Sequence, residues 1–591
     1  MHTLSRSFDL VVVGGGLSGL CAAIAAARHG AKTALVQNRP MLGGNASSEI
    51  RMHICGADHH MSRPNARETG ILEELLLEHK RRNPTNNYSI FDTILWEKAA
   101  FCPGLTLYLN ACVDEAETQS GRILSVCAFQ QTTETRLRLS APLFVDASGD
   151  GTLGALAGAD FVVGRESRDT YGERHAPLVA DHCTMGSSLM FQARDVGRPV
   201  PFVRPPWANQ YTEHDLRHRE HADVSSGYWW IELGGGRYET IADAELLRDE
   251  LLKAVYGMWD HIKNGGDHGA ENMDLEWVGI LPGKRESRRF LGDYVLTEQD
   301  CQEGRIFEDA VAYGGWPMDV HTVEGFLNDA DEPTVYLHLP QVYTIPYRCL
   351  YSRNISNLFL CGRIISASHM AFASARVMAT CAVGGQAVGT AAAIAVREGL
   401  EPRQLGAHMQ ELRQTLLKDD CYIPGARNED PLDLARTARV SASCSLPGCG
   451  PEKLLSGVSR SVGQESNCWA APLDQNPWLR LQLDGPKTVG ELRLSFDSNL
   501  SREITISINR TVLGRQSAGT PPELVRSCTA VFSLEGKPVL ELPLQGLYQR
   551  HNAVRLPSPV RCDEVVLRDF QTHGAKELRL FELRLYETPE A

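Results

Sequence analysis

His53, His321 and His369 each sit in a polar or glycine-bearing run, and imidazole is the side chain that exchanges a proton near neutral pH. Arg288 and Arg376 can orient or neutralise oxygen atoms, and Tyr313 can donate from its phenol. Together these residue types suit acid–base work at an oxygen-bearing carbon. Each also has a plain structural use, the histidines as hydrogen bonders and the arginines as ion-pair partners. A further group, His53 to His60, packs three histidines, a thiol and a carboxylate into eight residues. Those ligand types suit zinc or iron, but the spacing matches no standard site, so a polar cavity lining is expected and no metal.

Such residues need a scaffold, and the N-terminus supplies the first part of it. Asp9 to Val13 is an apolar, β-branched run of the kind that forms a buried parallel strand. Gly14, Gly16 and Gly19 follow as GxGxxG, then an alanine-rich helix from Leu20 to Arg28, then a second strand from Thr33 to Gln37. Glycines at these positions let the backbone turn tightly and approach a pyrophosphate at the helix N-terminus. Strand, turn, helix and strand in that order predict dinucleotide binding. The second strand ends in Gln37 instead of the usual acidic residue, so ribose contact would run through an amide.

Further motifs carry a family resemblance. Arg39 to Glu49, containing Gly43-Gly44-Asn45-Ala46-Ser47, resembles the second loop of FAD-dependent oxidoreductases of the glutathione-reductase-type flavoprotein class, in particular the subfamily with a GGNASSE-type loop. Phe144 to Gly151 resembles that family's second FAD fingerprint. Asn357 to Arg363 resembles the strand that returns to the flavin, and Ser374 to Thr380 the opening of the alanine-rich helix behind it. The resemblance covers about residues 1–425. It implies FAD held by Gly14, Gly16, Leu17, Ser18, Gly19, Gln37, Asn38, Gly43, Gly44, Asn45, Ser47, Val113, Ala147, Gly149, Asp150, Gly362, Arg363, Met378, Ala379 and Thr380. A helix starting near Met378 would also aim backbone N–H groups and its positive dipole end at an electron-rich flavin.

The same resemblance places Pro282 to Arg289 and Asp309 to His321 around the flavin. His321 and His369 are then the leading bases, Arg376 and Arg288 orient substrate oxygens, and Tyr313 donates to one. No second nucleotide fingerprint follows, so an external electron acceptor is expected. The leading reading is hydride transfer between FAD and a secondary alcohol or keto group of a sugar or glycoside. Two others stand beside it: a dehydrogenase or reductase of a small carboxylic acid clamped by Arg288 and Arg376, and a glycan-binding or scaffolding protein with a silent flavin.

From about Thr437 the pattern changes to short alternating runs, including Trp478–Leu483, Glu491–Phe496, Glu503–Ile508 and Glu577–Tyr586. Alternation between turn residues predicts a β-sandwich with one face buried and one wet, and Cys468-Trp469 through Asp497 resembles the galactose-binding-like, discoidin-type jelly roll. The expected fold is therefore an α/β Rossmann-like FAD domain (1–160 and 356–425), an inserted α+β substrate domain (161–355) and an all-β jelly roll (437–588).

Composition narrows the rest. The chain has 591 residues, 43% hydrophobic and 22% charged, with 59 basic and 73 acidic side chains, hence a net charge of −14. That balance argues against nucleic-acid and anionic-membrane partners. The run from Val377 to Val396 resembles a membrane span in length, yet its alanine, glycine, Thr380, Gln386 and Thr390 read as a buried helix. The sixteen scattered cysteines and the short polar N-terminus predict reduced thiols, no signal peptide and a cytoplasmic address, with homo-oligomerisation left open.

Overall fold

A computed structural model describes residues 2–587; Thr588, the end set above for the β region, lies outside them. The chain divides into two compact units: Met1–His59 with Asn86–Ala407 and Thr505–Gly514, and His60–Thr85 with His408–Ile504 and Arg515–Ala591. Residues 60–85 and 408–425, assigned from sequence to the nucleotide fold or its return, thus group with the β region.

The first unit is built on a five-stranded parallel sheet. Its order is Leu358–Leu360, Leu143–Asp146, Leu10–Val13, Thr33–Val36 and Leu105–Tyr108. The Leu10–Val13 strand is wholly buried because it has sheet neighbours on both edges and apolar packing on both faces. The helices Leu17–Arg28 and Met378–Glu398 pack so closely that a Cβ on Gly385 would stand 2.1 Å from the Ser18 carbonyl oxygen, and one on Gly389 2.0 Å from that of Ala22. Met378–Glu398 is long and apolar enough to cross a membrane, but 89% of its apolar window is buried inside the protein. The remainder of this unit contains a three-stranded sheet, Glu232–Gly235, Thr184–Ser188 and Gly283–Lys284, and the helix Ala244–Asn264 over its own apolar core.

The second unit carries a seven-stranded sheet, antiparallel throughout, whose longest members run Leu479–Phe496 and His551–Thr572. Bulges at Gln482/Lys487 and Val489/Glu491 interrupt the first of these, so two runs read separately from sequence form one bent strand. The expected wet face is absent from its second half, where Val489 to Phe496 are all buried. Charges there are paired and capped: Arg493 with Glu491, Arg584 with Glu582 at 2.7 Å, and both arginines donate to carbonyls ending the helix Met409–Lys418. Glu503–Ile508, expected as a strand, forms none; the segment is irregular and all six of its residues are buried.

Candidate functional site

The glycine turn after Leu10–Val13 is shaped by contacts that exclude a side chain. Gly14 has φ +108°, and a Cβ there would fall 2.2 Å from the Ala147 carbonyl oxygen; a Cβ on Gly19 would fall 1.9 Å from that of Gly14. Gly16 differs, since a Cβ on it would meet nothing within 4 Å. It caps the helix Leu17–Arg28 without any side-chain hydrogen bond, so the N-terminal amides face an open position. Gly43 and Gly44 close one side of this position: the Gly43 N–H donates to the Gly15 carbonyl at 2.8 Å, and a Gly44 Cβ would stand 3.2 Å from the Gly16 Cα.

Several residues proposed to touch a cofactor are committed to this turn. The Gln37 side-chain oxygen accepts from the Gly15 N–H at 2.8 Å, and its nitrogen donates to the Met41 carbonyl at 3.0 Å, so the amide fastens the loop to the turn. Asp150 lies between Lys284 and Arg363, each 2.7 Å away, and the two cations outweigh the effect of burial and hold its carboxyl below the usual range. Arg363 also donates to the Gly149 carbonyl, and the Asn45 amide donates to that of Lys284. Ala147 continues the central strand through its N–H to the Val13 carbonyl, and Gly362 adopts φ +82°. Asn38 is exposed, and Val113 is buried opposite Ala128. At the second helix, the Ala379 N–H is taken by the Cys55 carbonyl at 3.0 Å; Met378 and Thr380 flank it in the first turn.

Two histidine–carboxylate pairs hang from one strand. In Thr184–Ser188 the Met185 N–H donates to Glu286 at 2.9 Å and the Gly186 N–H donates to Glu232 at 2.6 Å. Consecutive amides of a strand point to opposite edges, so one reaches each neighbour. Glu232 in turn meets His321 Nδ1 at 2.6 Å and Arg285 at 3.2 Å. Burial pushes its pKa up, but Arg285 and His321 prevail and bring it to about 2. The second ring nitrogen of His321 faces Asp319 at 3.2 Å, and Asp319 also accepts from Arg376 at 2.9 Å. Against the effect of burial, His321 and Arg376 hold Asp319 far below the usual carboxylate range.

His369 is placed differently. Its Nδ1 lies 3.1 Å from Glu286, and its Nε2 makes no hydrogen bond among the described residues. Ser368 caps the helix His369–Ala375 and the His369 N–H donates to Glu166, which fixes the ring's position. Burial raises Glu286, yet His369, Arg289 and the Met185 N–H keep it below its ordinary value. A carboxylate on Nδ1 selects the tautomer whose Nε2 lone pair accepts a proton. The structure thus brings His321 and Arg376 together through Asp319. Arg288 lies elsewhere, donating to the Asp150 carbonyl at 3.0 Å and stacking over Phe161. Tyr313 is buried in the strand Ala310–Gly314, and His53 falls in the irregular run before residue 57.

The family pattern for FAD dependent oxidoreductases matches residues 9–416. The chain belongs to that family. In this FAD-dependent oxidoreductase the residues present fit the cofactor: buried Ser47 Oγ, on the loop that closes over Gly16, has no hydrogen-bond partner among the described residues. Among solved structures, the chain is similar to the family 32 CBM from C. perfringens NanJ in complex with galactose, at 14% identity over 26% of this chain and 98% of that one, TM-score 0.20. It is similar to the lectin domain of lectinolysin complexed with Lewis B antigen, at 15% identity over 27% and 99%, TM-score 0.21. A Streptococcus pneumoniae fucose binding module matches at 10% identity over 28% and 100%, TM-score 0.21. Galactose, the Lewis antigen and fucose are ligands of those proteins.

Sequence reasoning missed Glu232, Glu286, Arg285 and Asp319 as partners. Asp319, Arg285 and Glu286 stood inside motifs already singled out. Glu232 had no local signal, since it lies 89 residues from His321.

Proposed function

We propose that this FAD-dependent oxidoreductase acts on a neutral secondary alcohol of the kind a carbohydrate or glycoside carries, or on the matching ketone. The observation that carries this reading is the Glu286–His369 pair with its unshared Nε2. FAD supplies the hydride acceptor or donor when bound. His369 takes the hydroxyl proton at Nε2, and Glu286 holds the Nδ1 proton and stabilises the ring once it is charged. His321 has carboxylates at both nitrogens and serves to fix Asp319 and Glu232, which in turn place Arg376 and Arg285.

The arginines favour a neutral substrate over a carboxylic acid. Arg376 and Arg285 are each neutralised by a buried carboxylate, and Arg288 is turned to the Asp150 carbonyl. A clamp on a substrate carboxylate would require breaking such a pair, which leaves a buried charge exposed to desolvation cost. The Rossmann-like description of the parallel sheet, with the 161–355 region inserted as a substrate domain, belongs to the same proposal. So do an external electron acceptor and a cytoplasmic address; the sixteen scattered cysteines and the net charge of −14 in the sequence support the latter.

The test is an anaerobic titration of the purified holoprotein with a panel of glycosides and small acids, following the long-wavelength flavin band. Bleaching by a glycoside or other neutral alcohol is the expected result. Bleaching by carboxylic acids alone would overturn the neutral-substrate reading.

A further inference from the structure

Away from these residues, within the first unit, three imidazoles and a carboxylate converge. Nitrogens of His221, His261 and His268 and an oxygen of Glu213 all lie within 4.8 Å of one another. From Glu213, the Nε2 atoms stand at 3.2 Å for His261, 3.5 Å for His268 and 3.7 Å for His221. A tetrahedral zinc ion with bonds of about 2.0–2.1 Å sets its ligand atoms roughly 3.3 Å apart, so the carboxylate is already near its coordinating distance from all three rings.

The protonation pattern points the same way. His261 Nδ1 faces the Tyr211 carbonyl at 3.1 Å, and His221 Nδ1 faces the Arg219 carbonyl at 2.6 Å. A carbonyl only accepts, so both Nδ1 atoms donate and, in neutral rings, both Nε2 atoms present lone pairs. Backbone carbonyls on the remote nitrogen are the usual support for a ligating histidine. The His261 side chain is 1% exposed, yet its Nε2, like that of His268, makes no hydrogen bond among the described residues, despite Glu213 lying within ion-pair distance. Two of the three Nε2 atoms that gather around Glu213 are thus left without a hydrogen-bond partner among the described residues. A buried polar nitrogen left in this way calls for a partner.

We propose that Glu213, His221, His261 and His268 form a binding site for a zinc-class divalent transition-metal ion, distinct from the flavin chemistry. Three imidazoles and one carboxylate are borderline donors that suit zinc over calcium or magnesium. With all four positions filled by protein, the ion is a structural brace. Its ligands come from two places, the 211–221 segment and the end of the helix Ala244–Asn264 with the loop behind it. That loop is independently held, because Lys263 Nζ donates to the carbonyls of Ala270, Glu271 and Met273 at 2.7, 3.0 and 2.8 Å. The other segment continues toward the residues around His321: Trp230 Nε1 donates to the Glu220 carbonyl, and Trp229 accepts from Arg285 and sets its ring edge-on to His321 at 5.4 Å.

The test uses full-length holoprotein stripped with a chelator, then titrated with zinc against a chromophoric competitor and with cobalt for its visible ligand-field spectrum. One equivalent is expected, bound more tightly than micromolar, with a tetrahedral cobalt spectrum and a raised unfolding midpoint. H268A and H221A, at the accessible edge of the cluster, should keep the circular dichroism of the wild type while losing affinity at least about 100-fold. Substoichiometric or weak binding by the wild type overturns the proposal. Tight binding that persists in the H221A/H268A double variant does so too, because the ion is then held elsewhere.

Discussion

The pair Gly16→Ala and Gly19→Ala separates what the glycine turn does for the fold from what it does for FAD. At Gly19 the new Cβ would lie 1.9 Å from the Gly14 carbonyl oxygen and 2.8 Å from the Ala147 Cβ. The nearer contact must open by more than 1 Å to reach an ordinary van der Waals distance of about 3.2–3.4 Å, and the obstructing atom is backbone. Overpacking of that kind costs about 1–3 kcal/mol or more, so the apoprotein should melt early and FAD should be lost with it. At Gly16 the Cβ meets nothing within 4 Å, and φ −62°, ψ 172° is open to any residue. Apoprotein stability should stay within about 1 kcal/mol of the wild type. The same methyl group would occupy the position where a pyrophosphate must approach the helix amides. Displacing the phosphate should cost about 1–3 kcal/mol, which is a fall in FAD affinity of roughly 5- to 150-fold at 1.4 kcal/mol per decade. Flavin content by absorbance, FAD titration of stripped protein and melting of the apo forms supply the three readings. A G16A protein with wild-type FAD affinity would refute the placement of the cofactor on this turn.

Glu286→Gln should slow flavin reduction by the alcohol about 10²- to 10⁴-fold with FAD content unchanged, because His369 loses the charge that stabilises its protonated form; a rate within a few-fold of the wild type would remove His369 from the role of base. In the second unit, burial pushes His551 down from 6.5 to about 4. The unfolded chain therefore binds the extra proton first, and stability should be intact above about pH 6.5 and fall as the pH drops toward 4, by up to about 3 kcal/mol. Thermal melts of wild type and His551→Gln at pH 7.5 and pH 5 check this, and equal pH slopes in the two proteins would contradict it.

The parts of the fold that could be read from sequence are those whose cause is local. A β-branched run, a glycine turn and an alanine helix each act over a few residues, so the first strand was legible, as were the body of the first helix (read from Leu20, where it begins at Leu17) and the buried nature of Met378–Glu398. The histidine partners were not, because the contacts join Glu232 to His321 and Glu286 to His369 across the chain. The Glu213–His268 cluster was missed for the same reason, its members divided between two stretches about 40 residues apart. In the β region, alternation of charged and apolar residues at Glu491–Phe496 suggested a wet face. Alternation records two different faces, but it does not say whether the polar one meets water or, as for Arg493 and Arg584, helix-end carbonyls.

One strand governs both histidines, and that limits how such a chain can change in length. The Met185 and Gly186 amides serve opposite edges, and Gly186 has no room for a side chain, since its Cβ would fall 2.6 Å from Glu232. Inserting or deleting a single residue within 184–188 moves every side chain beyond it by one position and to the other face, so that a residue carrying a Cβ takes the place of Gly186 and runs into Glu232. Length variation among proteins that retain this chemistry should therefore fall outside residues 184–188, while the segment itself changes only by substitution.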